Sequence, residues 1–238
     1  MNILVVNDDS IHAPGIQMLA QAASELGNVY VVAPASQCSA MSQKLTLRED
    51  MTLRKITDFP ADVKAAWEVG GTPVDCVKVA LYHILEEKPD LVLSGINNGY
   101  NAGFDIAYSG TLGAAFEAAR NGVRAIAFSA PSDTHLPAVE SWLLPILQEL
   151  AEADAGEGNV WNVNFPRMNE QSPKGILRDR IPARSSLFNE DYRETVQPDG
   201  TVTLSCRGIP VPDEALGTGT DGEAVRSGYI SIGKVSAF

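Results

Sequence analysis

A short apolar strand that ends in two adjacent carboxylates opens this chain. Asn2 to Asn7 reads NILVVN, and Asp8 and Asp9 follow directly. Four consecutive aliphatic residues leave no polar face, so the strand is covered on both sides and belongs inside the sheet of an α/β domain. Its carboxyl end then surfaces at the sheet edge, where ligands bind in open α/β folds. Two like charges repel there, and neither is stable when buried unpaired. A hard divalent cation, Mg2+ or Mn2+, removes both problems. A solvated turn with a capping role is the plainer alternative for the dipeptide taken alone.

The residues that follow support an α/β reading. His12-Ala13-Pro14-Gly15 leads into an amphipathic helix over Gly15 to Leu26, with Pro14 in the first turn and Gly27 closing it. Val29 to Ala33 is a second apolar strand, which makes β-α-β with an expected right-handed crossover. Further along, the pattern predicts a hairpin from Leu45–Leu47 and Met51–Leu53, a strand at Trp67–Val69, and a helix from Pro73 to about Glu87. It also predicts a buried strand at Asp90–Leu93, a Gly- and Asn-rich loop from Ser94 to Phe104, and a small-residue helix from Ser109–Gly110. A strand at Val123–Ser129, a helix at Leu136–Ala153 and a strand at Asn159–Asn164 complete the body. Beyond Pro166 the chain turns polar and β-like, so residues 1–166 are read as the core and 167–238 as an extended arm with a returning strand. The arm cannot bury itself and is expected to pack on a partner subunit.

The formal net charge of the 238 residues is -12, from 30 acidic and 18 basic side chains. That balance argues against nucleic-acid polymers and anionic membranes. A phosphate-bearing substrate would need local positive charge, from a metal or from helix amides. Cys38, Cys76 and Cys206 show no CxxC spacing and read as reduced thiols of a cytoplasmic protein. Cys38 stands in a suspected site loop, as a spectator. No leader pattern precedes the first strand, and no apolar run approaches the ~20 residues that span a bilayer.

Three strand-end loops carry oxygen donors, and loops at one sheet edge converge. They hold Asp8 and Asp9; Ser36, Ser39 and Ser42; and Ser94, Asn97, Asn98 and Asn101. An all-oxygen set suits a hard octahedral ion and not zinc. Each Ser or Asn alone is equally well a turn residue. Ser109-Gly110-Thr111 opens a helix whose free N–H groups form an anion site, with Ser109 also fit to cap it. Gly70 to Asp75 reads as a turn and cap that could also line the site. His12 is a candidate for proton transfer, though its plainer role is a loop residue; His83 and His135 read as structural.

These motifs, in order, resemble the SurE-type survival proteins, which are metal-dependent nucleoside monophosphate phosphatases. The resemblance rests on Asn7-Asp8-Asp9 with His12 to Gly15, Val32-Ala33-Pro34, Ser39 and Ser42, Gly71-Thr72-Pro73 and Asp75-Cys76-Val77. It continues through Pro89 to Val92, Ser94 to Asn97, Gly99, Asn101, Gly103 and Tyr108 to Thr111, and more loosely through Asn162-Val163-Asn164 and Thr220-Asp221 with Gly228-Tyr229. It implies a Rossmann-like three-layer α/β sandwich with a C-terminal extended β-hairpin arm, and homodimers or homotetramers built through that arm. It implies one divalent ion (Mg or Mn, with Ca as a structural substitute) held by Asp8, Asp9, Ser39 and Asn97. It also implies hydrolysis of nucleoside 5′- and 3′-monophosphates, and of short polyphosphate in some members. A metal-activated water would then attack a phosphate held by Ser39, Ser109, Gly110 and Thr111, with Asp8, Asp9 and Asn97 catalytic and Asn98, Asn101 and Ser42 along the substrate loop. The chain departs from the pattern at Ser10, where the family usually has Gly, and at Ala35-Ser36-Gln37-Cys38, where many members carry charged residues. A non-catalytic Mg-dependent nucleotide binder and a receiver-like signalling module are the alternatives. The receiver reading lacks its phospho-accepting Asp and its Lys at the later strand ends.

Overall fold

The computed structural model describes residues 1–131, 136–167 and 172–237. The opening strand β1 (Asn2–Val6) is followed by α1 (Pro14–Ser24) and β2 (Asn28–Pro34). β3 (Leu53–Ile56) and β4 (Ala65–Val69) precede α2 (Pro73–Val79), and β5 (Leu91–Asn98) precedes α3 (Gly110–Arg120). β6 (Arg124–Ala130), α4 (Leu136–Glu152) and β7 (Asn159–Asn164) finish the first part of the sheet. Then come β8 (Ile176–Arg180), β9 (Phe188–Val196), β10 (Val202–Pro210), α5 (Asp221–Arg226) and β11 (Ile230–Ser236).

Among the described residues, nine strands form one sheet in the order β3-β4-β2-β1-β5-β6-β7-β11-β8. β4, β2, β1, β5, β6 and β7 are mutually parallel; β3 and β11 run antiparallel to their neighbours β4 and β7. The alternation of side chains sorts the aliphatic residues of β1 onto both faces. Ile3 and Val5 pack with Leu93, Phe128 and the apolar stripes of α1 and α4. Leu4 and Val6 pack with Val92, Ala127, Cys76 and Val77 of α2, and Leu112 and Ala115 of α3. The result is the expected three-layer α/β sandwich. Each large side chain buried in this way contributes roughly 1.5–3 kcal/mol.

The strand order places the candidate site. From β1 the chain moves outward through β2 and β4, then returns and proceeds the other way through β5, β6 and β7. The reversal leaves a crevice at the carboxyl ends of β1 and β5, the position at which doubly wound sheets bind ligands.

Four local expectations are corrected. Leu45–Leu47 forms no strand, because the Thr46 amide and hydroxyl are bound by Asp75 at the start of α2; Leu53–Ile56 pairs with β4 instead. The helix from Pro73 does not reach Glu87: it continues after Val79 as a π-turn, Ala80–Ile84, and Leu85 is extended. The stretch Ser94–Asn98 is not loop but the end of β5. It stays paired to β6 past a bulge, with Asn97 opposite Ser129 and Asn98 opposite Ala130. The polar segment after Lys174 first supplies β8 to the sheet, beside β11; only β9 and β10 form the separate hairpin. That hairpin is exposed along both strands, apolar Val196 and Leu204 included. His135 lies outside the described residues. No helix among those described is long and apolar enough to cross a membrane.

Candidate functional site

Two backbone contacts hold the Asp pair in place. The Cys38 N–H donates to the Asp8 carbonyl at 2.7 Å, and the Ile11 N–H to the Pro34 carbonyl at 3.0 Å. These join the β1 and β2 loops; Ser39, the next residue after Cys38, is exposed. The Asn7 side chain donates to the Ser10 carbonyl at 2.7 Å and closes the turn tightly. Ser10 takes φ +97° there, the backbone region that favours glycine.

The two carboxylates face different surroundings. Asp8 is buried, and its Oδ1 accepts from the Thr111 hydroxyl at 2.7 Å. Gly110 lies hard against it: a Cβ at that position would stand 3.1 Å from Asp8 Oδ2. A side chain there would press on Asp8 and require it to give by a few tenths of an ångström. Asp9 is half-buried; its Oδ2 accepts from the Asn98 backbone N–H at 2.8 Å, and its Oδ1 has a long 3.5 Å contact from the Gln37 amide. Burial pushes the Asp8 carboxyl up to about 6, against the Thr111 hydrogen bond and with help from the Asp9 charge. Burial also raises Asp9, against the Asn98 N–H.

The residues fit a hard divalent cation. Two adjacent carboxylates carry like charge at a partly dry edge, where a cation would relieve both. Asn97 donates its amide N–H to the Gly99 carbonyl at 2.9 Å, which leaves its Oδ1 as an acceptor. The Asn7 Oδ1 behind the pair is buried without a partner among the described residues. Asp8, Asp9, Ser39 and Asn97 would supply carboxylate, hydroxyl and amide oxygens, the donor types Mg2+ and Mn2+ prefer. No group of three His, Cys, Asp or Glu side chains suited to a metal occurs among the described residues, so a centre here depends on neutral oxygens as well.

The other sequence candidates divide into those at this edge and those used elsewhere. Ser109, Gly110 and Thr111 all stand at the start of α3. The Ser109 hydroxyl accepts from the Leu112 N–H as the helix cap, and the Thr111 hydroxyl is spent on Asp8. Asn98 lines the edge. Asn101 does not: it is buried, its amide donates to Ser129 and its carbonyl accepts from Asn162 and Asn164. Ser42 is also turned away, with its hydroxyl on the Ala107 carbonyl and its own carbonyl packed where a Cβ on Gly113 would sit. Ser94 is buried within β5. Thr72 and Asp75 form a complete capping box, and Asp75 also clamps Thr46. His12 lies 3.5 Å from Glu68, which also binds Arg54, and His83 is exposed. Burial, and then the Asp8 charge, raise the Cys38 thiol; it donates weakly to carbonyls as a spectator would.

Two contributors were given no site role by the sequence reading. Gln37 was noted only as a missing charge, yet it reaches Asp9. Asp221 accepts from the backbone N–H groups of Gly103, Ala183 and Gly222 and so braces the loop between β5 and α3. Its position directly after the capping Thr220 was the available signal.

A doubly wound α/β body with two adjacent carboxylates at its switch point defines the class to which this molecule belongs. Comparison with known proteins narrows that class. The family model described as "Survival protein SurE" matches residues 3–186. The "5'-nucleotidase SurE" of Flavobacterium psychrophilum is 39% identical over 97% of this chain and 89% of its own length. The "5'-nucleotidase SurE 1" of Thermus thermophilus is 38% identical over 99% and 92%. The crystal structure of the SurE protein from Aquifex aeolicus superposes with a TM-score of 0.83 at 34% identity, covering 100% of this chain and 94% of that one. The chain belongs to the SurE family.

Proposed function

We propose that this protein is a divalent-metal-dependent phosphomonoesterase that hydrolyses nucleoside 5′-monophosphates, and 3′-monophosphates as well, to nucleoside and phosphate. One observation carries the reading: Asp8 and Asp9 stand side by side at the switch point, one pressed against the first turn of α3 and the other beside Asn97 and Asn98. Relatives named 5'-nucleotidase support the substrate class.

When bound, Mg2+ or Mn2+ supplies Lewis-acid polarisation and lowers the pKa of water. The chain's own residues do the rest. Asp8, Asp9, Ser39 and Asn97 would hold the ion. Thr111 orients Asp8, and the Asn98 N–H orients Asp9. The N–H groups at the start of α3 face the phosphate oxygens and stabilise the charge that grows on them. Asp9, the more accessible of the two acids, is placed to accept a proton. The exposed β9–β10 hairpin supports assembly with further copies of the chain, and three free thiols support a reducing, cytoplasmic setting.

Phosphate release from AMP or GMP with Mn2+ tests this reading. The wild type is expected to be active and to lose activity on chelation. Asp8→Asn should lower kcat/KM by more than about 100-fold, since even outer-shell partners of a metal account for 10- to 100-fold. Full activity of Asp8→Asn with metal present would remove the site.

A further inference from the structure

In the segment that follows β2, the short span Ser39–Met41 is held at both ends. At one end the Cys38 N–H donates to the Asp8 carbonyl. At the other, Ser42 is locked to the approach of α3. Its N–H donates to the Tyr108 carbonyl at 2.9 Å, and its hydroxyl to the Ala107 carbonyl at 2.8 Å. Its own carbonyl oxygen packs so tightly on α3 that a Cβ on Gly113 would collide with it. Beyond Ser42 the chain turns, with the Lys44 N–H on the Met41 carbonyl at 3.0 Å. It is then clamped again: the Thr72 hydroxyl donates to the Lys44 carbonyl at 2.6 Å, and Asp75 accepts from the Thr46 amide and hydroxyl. Within this frame Ala40 and Ser42 take φ +56° and +52°, the left-handed region that L side chains rarely adopt. Such conformations persist where the surroundings over-determine them, and they cluster at ligand clamps and active sites. Ser39 itself is exposed, and its hydroxyl makes no hydrogen bond among the described residues.

We propose that Ser42 is a positioning residue: it fixes the backbone that aims Ser39, and it ties that backbone to the turn from which α3 starts; this rests on the metal-dependent reading above. A neutral hydroxyl brings no charge to draw a cation in. Its worth as a ligand depends on being in place before the ion arrives. Ser39 has no side-chain partner to place it, so the backbone of its span must do so. The Cys38 contact anchors that span to the strand that carries the Asp pair, and Ser42 anchors it to Ala107 and Tyr108, directly before Ser109-Gly110-Thr111. The candidate metal ligand and the candidate phosphate site thereby share one frame. Without the Ser42 hydroxyl, one of the two bonds that tie Ser42 to that turn is lost, and the left-handed backbone at Ala40 and Ser42 can relax.

Two measurements test the inference. The first is a double-mutant cycle read by calorimetric titration with Mn2+. Ser42→Ala should weaken Mn2+ binding about three- to tenfold, the worth of one neutral hydrogen bond. In a Ser39→Ala background the same change should alter Mn2+ affinity by less than about twofold, because the ligand through which Ser42 acts is gone. Unchanged affinity in Ser42→Ala, or an equal loss in both backgrounds, would overturn the proposal. The second is backbone hydrogen exchange of the metal-free protein, wild type against Ser42→Ala. Exchange should quicken about threefold or more over Ser39–Gln43 and stay unchanged in α2. A change shared by α2, or no change in the span, overturns the proposal as well. If the wild type binds no Mn2+, the metal-dependent reading fails by itself, and the exchange measurement still decides whether Ser42 holds the span.

Discussion

Asp8 and Asp221 are buried to the same extent, each 4% exposed, and burial raises the pKa of both. Their partners differ. Asp221 accepts three backbone N–H groups, from Gly103 at 3.0 Å, Ala183 at 2.8 Å and Gly222 at 2.7 Å, and both of its oxygens are used. Among the described residues Asp8 accepts one side-chain hydrogen bond, from Thr111, with weaker support from the Asp8 and Thr111 backbone N–H groups, and the charge beside it is another acid. A carboxylate surrounded by amides is a strut: its charge is stabilised by the fold and the fold by its charge. A carboxylate with an open oxygen beside a like charge is a site in waiting, destabilising until a cation arrives. Burial alone does not separate the two roles; the donor inventory does.

The sharpest way to break the comparison is to make the same substitution at both positions. Asp8→Asn should abolish phosphatase activity while leaving the metal-free protein as stable as wild type or slightly more so, because it removes one buried charge from a repelling pair. Asp221→Asn should do the reverse. Its NH2 group would face an N–H donor, leaving at least one buried amide unpaired, at about 2–4 kcal/mol. For a chain of this size that is roughly 4–16 °C in Tm. Thermal melts with and without Mn2+ read both effects together. Metal should raise the Tm of wild type and of Asp221→Asn, and should not raise that of Asp8→Asn. Equal loss of stability at both positions would erase the distinction.

Thr111 sharpens the same contrast, as the side chain that donates to Asp8 among the described residues. Thr111→Val keeps the shape and removes the hydroxyl, so Asp8 loses its donor. Metal affinity is expected to fall about 10- to 100-fold, the usual effect of an outer-shell partner. Thr111→Ser should restore most of it. Calorimetric titration with Mn2+ measures this independently of turnover. Unchanged affinity in Thr111→Val would show that the Thr111–Asp8 hydrogen bond does not support metal binding.

Much of this edge was legible in the chain itself. The aliphatic strand, the Asp pair at its end, the Ser109 cap and the glycine at position 110 follow from local rules of burial and helix termini. What was not legible is which way a polar side chain turns once loops close over it. Asn101, Ser42 and Thr111 read alike as oxygen donors near a site. The structure turns the first two inward, where the Asn101 amide donates to the Ser129 hydroxyl, the Asn101 carbonyl accepts from Asn162, and the Ser42 hydroxyl donates to the Ala107 carbonyl. No local pattern encodes that, because the partners Ser129, Asn162 and Ala107 are distant in sequence. The end of β5 was hidden for a related reason. A strand that runs past the covered part of a sheet carries polar residues and so resembles a loop. Gln37 was read by the charge it lacks, when its position next to Asp9 is what matters.

Ser10 tests how much strain the Asp turn tolerates. At φ +97° a serine is held where glycine is comfortable. Such positions cost about 1–3 kcal/mol. Ser10→Gly relieves that strain, offset by roughly 0.5–1 kcal/mol of added chain entropy in the unfolded state. A net stabilisation of about 1 kcal/mol, some 2–4 °C in Tm, is expected. Loss of stability would show that the Ser10 side chain contributes more than its backbone costs.

The smallest effect belongs to a carboxylate at the opposite extreme of burial. Glu149 is exposed and paired with Arg178 in two hydrogen bonds, at 2.8 and 2.6 Å. The Arg178 hydrogen bonds hold its carboxyl below the ordinary glutamate value. A depressed folded pKa means that the pair's contribution is complete above the unfolded value of 4.5 and is lost as pH falls through the folded one. Both side chains are more than two-fifths exposed, so solvent screening leaves under about 1 kcal/mol. Arg178→Met should lower Tm by about 1–3 °C at pH 7 and low salt. The difference should shrink in 1 M NaCl and vanish toward pH 3. A deficit that persists at both extremes would mean that Arg178 acts through its aliphatic stem packed beside α4, and not through its charge. In that case exposure, too, would fail to predict what a charged side chain does, and the donor and contact inventory would again be the deciding measure.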